Sequence, residues 1–375
     1  MTQACTRLSQ YVATRQQNNR RGLWLFSVAL AISMYLSVTN GSIEINAWQL
    51  IFAHIEGLYN QAFGVTQQIT ANTELSNATQ WYVFAQLRLP RVIMTSLIGA
   101  LLATAGCTMQ GLVRNPLADP GLIGISGGAA AAAAVSMAVM PASAFSFIPP
   151  AMASIWVGIW AFLGALAAVL LVLKFSNSAH GVSVAALILA GVAINAFTGT
   201  IIGAVSYVAS DDALRQISYW TMGSLAGANW NKALIVAITC ALAFAGLFSM
   251  RNALNLLALG EGEAAYMGLD VKRYKKRMLW LVTFCVALAT ALCGIIGFVG
   301  LVVPHICRTI FGVNHRILLP ASALVGALLL SAADTLSRSL FSPMEIPIGI
   351  VTSAIGAPFF LYLLWQQKGV FSGGQ

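Results

Sequence analysis

Few residues of this chain could do chemistry, and the most telling are basic. RLPR, Arg88 to Arg91, sets two arginines three apart around a proline at the head of the apolar run VIMTSLIGALLATAGCTMQGLV, in a chain of which only 8% is charged. Guanidinium groups are costly beside hydrocarbon, so what these two face bears directly on function. Arg338 follows Asp334 by four residues, the spacing of an ion pair on one helix face. No catalytic constellation accompanies them. Asp211, Asp212, Asp334 and Glu345 have no His or Ser partner at a telling spacing, and the chain has neither a GxxxxGK[ST] loop nor any Gly-Lys dipeptide. Cysteines 5, 107, 240, 285, 293 and 307 include no CxxC pair, and histidines 54, 180, 305 and 315 are scattered. Neither disulfides nor a metal site is expected.

The elements that must position these groups are membrane helices. The chain has 375 residues, 58% of them hydrophobic, and a mean hydropathy of +0.80. Its apolar runs repeatedly reach the ~20 residues that span a ~30 Å hydrocarbon core. A β-barrel would alternate in polarity, whereas these runs are continuous and rich in Gly, Ala and Leu. Ten segments follow: 23–39, 91–111, 121–140, 151–173, 184–208, 231–250, 279–296, 298–311, 317–337 and 346–365. The fold class is an all-α integral membrane protein.

A net charge of +9 would suggest nucleic acid in a soluble chain. Here Lys and Arg instead report orientation. With the N-terminus inside, fifteen of the twenty fall on the cytoplasmic side; Arg88, Arg91, Arg215, Lys232 and Arg338 fall outside. Both termini are then cytoplasmic. The assignment needs 298–311 to cross fully, because a re-entrant segment there would put Arg338 on the other side. The basic-then-apolar N-terminus lacks a small-x-small cleavage site and reads as an uncleaved first helix. Residues 41–87 form the longest outside connection, an exposed loop in which WQLIFAHIEGLY could lie as an amphipathic helix on the membrane.

Inside, RNALNLLALGEGEAAYMGLDVKRYKKR, 251–277, is too polar for lipid. It is either a solvated loop whose charges enforce topology or a docking segment, in which the small residues of EGEAAYMG let another protein approach the backbone. Glycine and proline also interrupt the helices at two related places, GCTMQGLVRNPLADPGLIGISGGAA (106–130) and GIIGFVGLVVPHICR (294–308). They lie an odd number of crossings apart, the weak internal signature of an inverted repeat; tight packing through small residues accounts for most of these glycines equally well.

Taken in order, RLPR (88–91), MQGLVRNPLADPGLIGISGGAA (109–130), WTMGSLAGANW (220–230), LALGEGEAAYMGLD (257–270), GIIGFVGLVVPHICR (294–308), DTLSR (334–338) and EIPIGIVTSAIGAPFFLYLL (345–364) resemble the FecCD family. Its members are the membrane subunits of binding-protein-dependent ABC importers for iron chelates, haem and cobalamin. The resemblance implies a type II ABC importer permease fold in the bacterial inner membrane, with a cytoplasmic tail 1–22, a permease domain 23–366 and a tail 367–375. It implies a homodimer, two cytoplasmic ATPase subunits that carry the ATP and Mg, and a periplasmic binding protein; this chain itself binds no cofactor and no nucleic acid.

Within 252–277 the resemblance makes Glu261, Gly262, Glu263, Ala264, Ala265 and Gly268 the coupling contact with the ATPase. It makes Arg88, Arg91 and Arg338 the rim that receives carboxylates of the binding protein, since arginine forks bind carboxylates bidentately. Interfacial anchoring is the alternative for Arg88 and Arg91, and pairing with Asp334 for Arg338. The segment 186–208 lines the route, with Asn195, Thr198 and Thr200 as its polar points; Tyr207 and Met222 are either weak iron contacts or packing residues. The stretch 206–230 resembles haem permeases most, with a ferric siderophore or cobalamin as the alternative cargo. An ion-coupled transporter would instead need ionisable residues deep in several helices.

Overall fold

Apolar residues on every face make a helix suited to the middle of a bundle, and α2, Leu89–Val113, takes that place. Every residue from Ile98 to Val113 is buried. Its hydroxyls are satisfied within the helix, Thr95 donating to the Arg91 carbonyl at 2.7 Å and Thr104 to Ala100 at 2.7 Å. The computed structural model describes residues 2–40, 48, 51–52, 55, 78–139, 150–178, 181–342 and 344–371.

Around α2 stand α1 (Thr2–Thr39), α3 (Ile125–Val139), α4 (Pro150–Ser176), α5 (Val184–Val208), α6 (Asp211–Thr221), α7 (Trp230–Ser249), α8 (Arg251–Leu257), α9 (Glu261–Tyr266), α10 (Val271–Cys293), α11 (Val299–Phe311), α12 (His315–Ser339) and α13 (Ile348–Phe371). A two-residue antiparallel pair, Asn177 opposite Val182, joins α4 to α5. Helix α2 packs most extensively on α12 and also touches α7, α10 and α11. The α2–α12 crossing is made by glycines, because a Cβ on Gly99 would strike the Gly326 carbonyl and one on Gly326 the Gly99 carbonyl. Small residues bring α3 against α4 in the same way at Gly128 and Gly164.

Among the described residues seven helices are long and apolar enough to cross a membrane, and three shorter apolar helices, 125–139, 299–311 and 348–363, accompany them. The expected helix at 121–140 is divided, with Asp119 accepting from the Gly121 amide at 2.7 Å to start a 3-10 turn, Pro120–Ile123, before α3. The exposed loop expected through residue 87 ends earlier: the chain is helical from Ala78 and passes through a π-helical turn, Val83–Arg88, into α2. RLPR therefore lies within a helix rather than at its head. The patch WQLIFAHIEGLY falls largely outside the described residues. Helix α10 begins eight residues earlier than the sequence suggested, since Asp270 caps it by accepting from the Arg273 amide at 3.0 Å.

Helix α11 is too short for the full crossing expected of 298–311. Its 13 residues rise only about 20 Å. Non-helical residues 294–298 precede it, ending at Phe298 with φ 67°, and α12 then starts beside α8 while its far end sets Arg338 next to Arg91. Irregular backbone survives at membrane depth only under cover of protein. Here the ends of α6, α10 and α13 supply that cover: the Ser224 amide donates to the Cys293 carbonyl at 2.8 Å, Ile348 to Gly223 at 3.1 Å and Gly349 to Met222 at 3.0 Å.

Candidate functional site

At one end of the bundle Arg91 opens its fork over two carboxylates. Its Nε and Nη2 donate to Asp334 Oδ1 at 3.1 and 2.9 Å, and its Nη1 donates to both oxygens of Glu345 at 3.0 and 2.9 Å. The other oxygen of Asp334 accepts from Arg338 Nε at 3.2 Å. Arg338 continues to the end of α1, where its Nη2 reaches the Ser37 carbonyl at 2.8 Å and hydroxyl at 2.7 Å. Arg88 Nη1 takes the Val38 and Thr39 carbonyls at 2.7 and 2.9 Å. The last carbonyls of a helix are unpaired and carry its partial negative charge, so two cations there close α1.

Burial divides these groups. Arg88, Arg338 and Asp334 are buried, Asp334 completely. The Arg91 side chain is 11% exposed and that of Glu345 43%. The sequence placed Arg88, Arg91 and Arg338 together on a rim, and the structure does bring them together, with Arg88 and Arg338 turned inward onto α1 and the Arg91–Glu345 pair facing out. Glu345 was read only as an acid near a helix end. Its position two residues before Pro347, just ahead of α13, was the available signal.

The opposite end carries the segment 251–277, where the sequence suggested a coupling contact. Helix α9 buries Ala264 completely and leaves Tyr266 95% and Met267 62% exposed; Gly262, Glu263, Ala265 and Gly268 are exposed as well. Glu261 points inward, its Oε1 accepting from Lys275 Nζ at 2.6 Å and lying 3.6 Å from Arg114 Nη2 at the foot of α2. The buried Lys275 also donates to the Val182 carbonyl at 3.2 Å. Asn255 of α8 binds the His315 amide at 2.9 Å, and Arg316 Nε reaches Asn252 at 3.2 Å. Helices α2 and α12 thus each connect this segment to the arginine end.

The residues proposed to line a route are spread along α5 and beyond. Asn195 Nδ2 donates to the Gly121 carbonyl at 3.1 Å, and Thr198 is buried and donates to the Asn195 carbonyl at 3.0 Å. Both face α3, where a Cβ on Gly127 would meet their oxygens. Thr200 is exposed and bonds within its helix, to the Ala196 carbonyl. Tyr207 is 91% and Met222 43% exposed. Gly199 and Gly203 share the outer face of α5, with no atom within 4 Å of a Cβ placed on either.

Comparison with known proteins agrees with this architecture. The FecCD transport family matches residues 29–366. The chain is 45% identical over 302 residues to the hemin transport system permease protein of Yersinia pestis, covering 80% of this chain and 87% of that one. It is 39% identical over 281 residues to the vitamin B12 import system permease protein of Vibrio cholerae, covering 74% and 81%. A solved inward-facing metal-chelate type ABC transporter superposes with a TM-score of 0.76 at 30% identity, over 92% of this chain and 99% of that one.

Proposed function

The chain belongs to the FecCD transport family, a multi-pass permease of ABC importers, and on that premise we propose that it carries haem across the bacterial inner membrane. The observation that carries the cargo assignment is the 45% identity to a hemin permease, against 39% to a vitamin B12 permease. The second of these relatives makes cobalamin the competing cargo.

In this reading two copies meet through the outer face of α5, where Gly199 and Gly203 leave room for close helix approach. The arginine end is periplasmic and both termini cytoplasmic, in keeping with the bias of basic residues. A binding protein docks at the Arg91–Glu345 pair from the side of the exposed Glu345, and ATP is hydrolysed on a partner subunit seated against α9 through Tyr266 and its neighbours. Motion passes along α2 and α12. Transport requires that cargo be held weakly enough to leave, which suits a pathway with scattered polar points.

Reconstitution tests the reading: the chain with its ATPase in liposomes, supplied with binding protein loaded with haem, a ferric siderophore or cobalamin. ATP-dependent uptake of haem is expected. Uptake of cobalamin or a siderophore without haem would replace the cargo and leave the permease assignment standing.

A further inference from the structure

On the flank of the bundle, between α4, α6, α7 and α10, lies a cavity of about 780 Å³. It is separate from the outer face of α5. One wall is apolar: Ile155, Ile159 and Leu163 follow one another at four-residue spacing on α4, with Ile235 of α7 and Leu288 of α10 across from them. Ile155, Ile159, Leu163 and Ile235 are each about half exposed, so the cavity opens sideways, where a membrane protein meets acyl chains.

The other margin is polar and basic. Arg215 of α6 and Lys232 of α7 line it, with Asn229 and Asn231 beside them. This margin lies at the arginine end, because the Trp230 indole donates to the Ala85 carbonyl at 2.9 Å, just before RLPR. Asp211 and Asp212 stand one turn before Arg215, yet among the described residues no ion pair joins either to it. The Lys232 ammonium lies over Gly227, 3.3 Å from where a Cβ would stand.

Polarity thus changes along the membrane normal, from cations at the interface to hydrocarbon below. We propose that this cleft is a binding site for an anionic phospholipid, its phosphate held by Arg215 and Lys232 and an acyl chain lying along Ile155, Ile159 and Leu163. Charge complementarity selects an anionic headgroup over a zwitterionic one, since cations between membrane helices recognise acidic lipids. The lateral opening selects a lipid over a water-borne chelate, which would have to enter through hydrocarbon.

Native mass spectrometry of the full-length chain in neutral detergent tests this, with phosphatidylglycerol and phosphatidylcholine of identical acyl chains. Wild type should retain phosphatidylglycerol preferentially, and Arg215→Gln with Lys232→Gln should lower its retention about fivefold per charge, bringing the two lipids near parity. Arg215→Lys with Lys232→Arg should restore the preference. Leu288→Trp keeps both charges but fills the cleft, and should reduce retention of either lipid. Equal retention of both lipids by wild type, or an unchanged preference in the double Gln variant, overturns the proposal. So does haem displacing the lipid from wild type, or a disulfide between two copies of Ile159→Cys, which would put cargo or a second subunit in the cleft.

Discussion

Arg91 and Asp334, 243 residues apart in the chain, meet through two hydrogen bonds to a single carboxylate oxygen, at 2.9 and 3.1 Å. The second oxygen serves Arg338. One buried acid therefore holds two guanidinium groups, and removing a partner from such a group costs far more than the pair itself contributes. Asp334→Asn should destabilise the protein by about 3–5 kcal/mol, seen as a lower thermal midpoint in detergent. An unchanged midpoint would mean that Glu345 suffices to hold Arg91 and the end of α1 to hold Arg338.

Glu345 occupies the outward side of Arg91, where a binding protein's carboxylate would arrive. A partly exposed pair of this kind is worth roughly 0.2–1 kcal/mol. Glu345→Gln should therefore tighten docking by a factor of up to about five, measured as the affinity of the loaded binding protein for the reconstituted permease. Weaker docking would make Glu345 itself a contact. Arg91→Glu should abolish docking but also strips Asp334 of a partner, and Arg88→Glu would release the Val38 and Thr39 carbonyls, so the thermal midpoint of each variant has to be measured beside its docking.

Leucines at Gly199 and Gly203 meet nothing within 4 Å of their Cβ positions in the protomer, and replacing glycine in a helix adds up to about 1 kcal/mol of helix propensity per site. The double variant should fold as stably as wild type and run as a monomer by native mass spectrometry. A persistent dimer would move the interface to another face.

Substitutions in α9 should separate by direction. Glu263→Arg and Tyr266→Ala lie on the exposed side and should uncouple uptake from ATP hydrolysis while leaving the thermal midpoint unchanged. Ala264→Leu has no space to enter and should lower the midpoint. Wild-type uptake by Glu263→Arg would remove the docking role from this surface.

The ten apolar segments, the arginine motif and the polar, interrupted character of 251–277 were legible in the sequence because length, polarity and local spacing carry them. Other features depend on tertiary placement. That Arg338 binds Ser37, 301 residues away, leaves no local trace. KRYKKR looked like a loop because charge hides helicity, and its helix rests on the Asp270 cap and on Lys275 being drawn inward to Glu261. On α5, which is apolar nearly all round, no periodicity distinguished the side that takes Asn195 and Thr198 against α3 from the side that presents Thr200 and Tyr207.

The meeting of α6, α10 and α13 has a mechanical meaning. Bending a continuous helix breaks bonds of its own ladder, but the bonds joining Ser224 to Cys293, Gly223 to Ile348 and Met222 to Gly349 lie between segment ends. Gly223, Gly294 and Gly349 give this joint bare bearing surfaces: at each of them a Cβ would strike a facing carbonyl. The start of α13 is thus joined to its neighbours by a handful of main-chain bonds between segment ends, whereas α2 and α12 are locked to each other glycine to glycine.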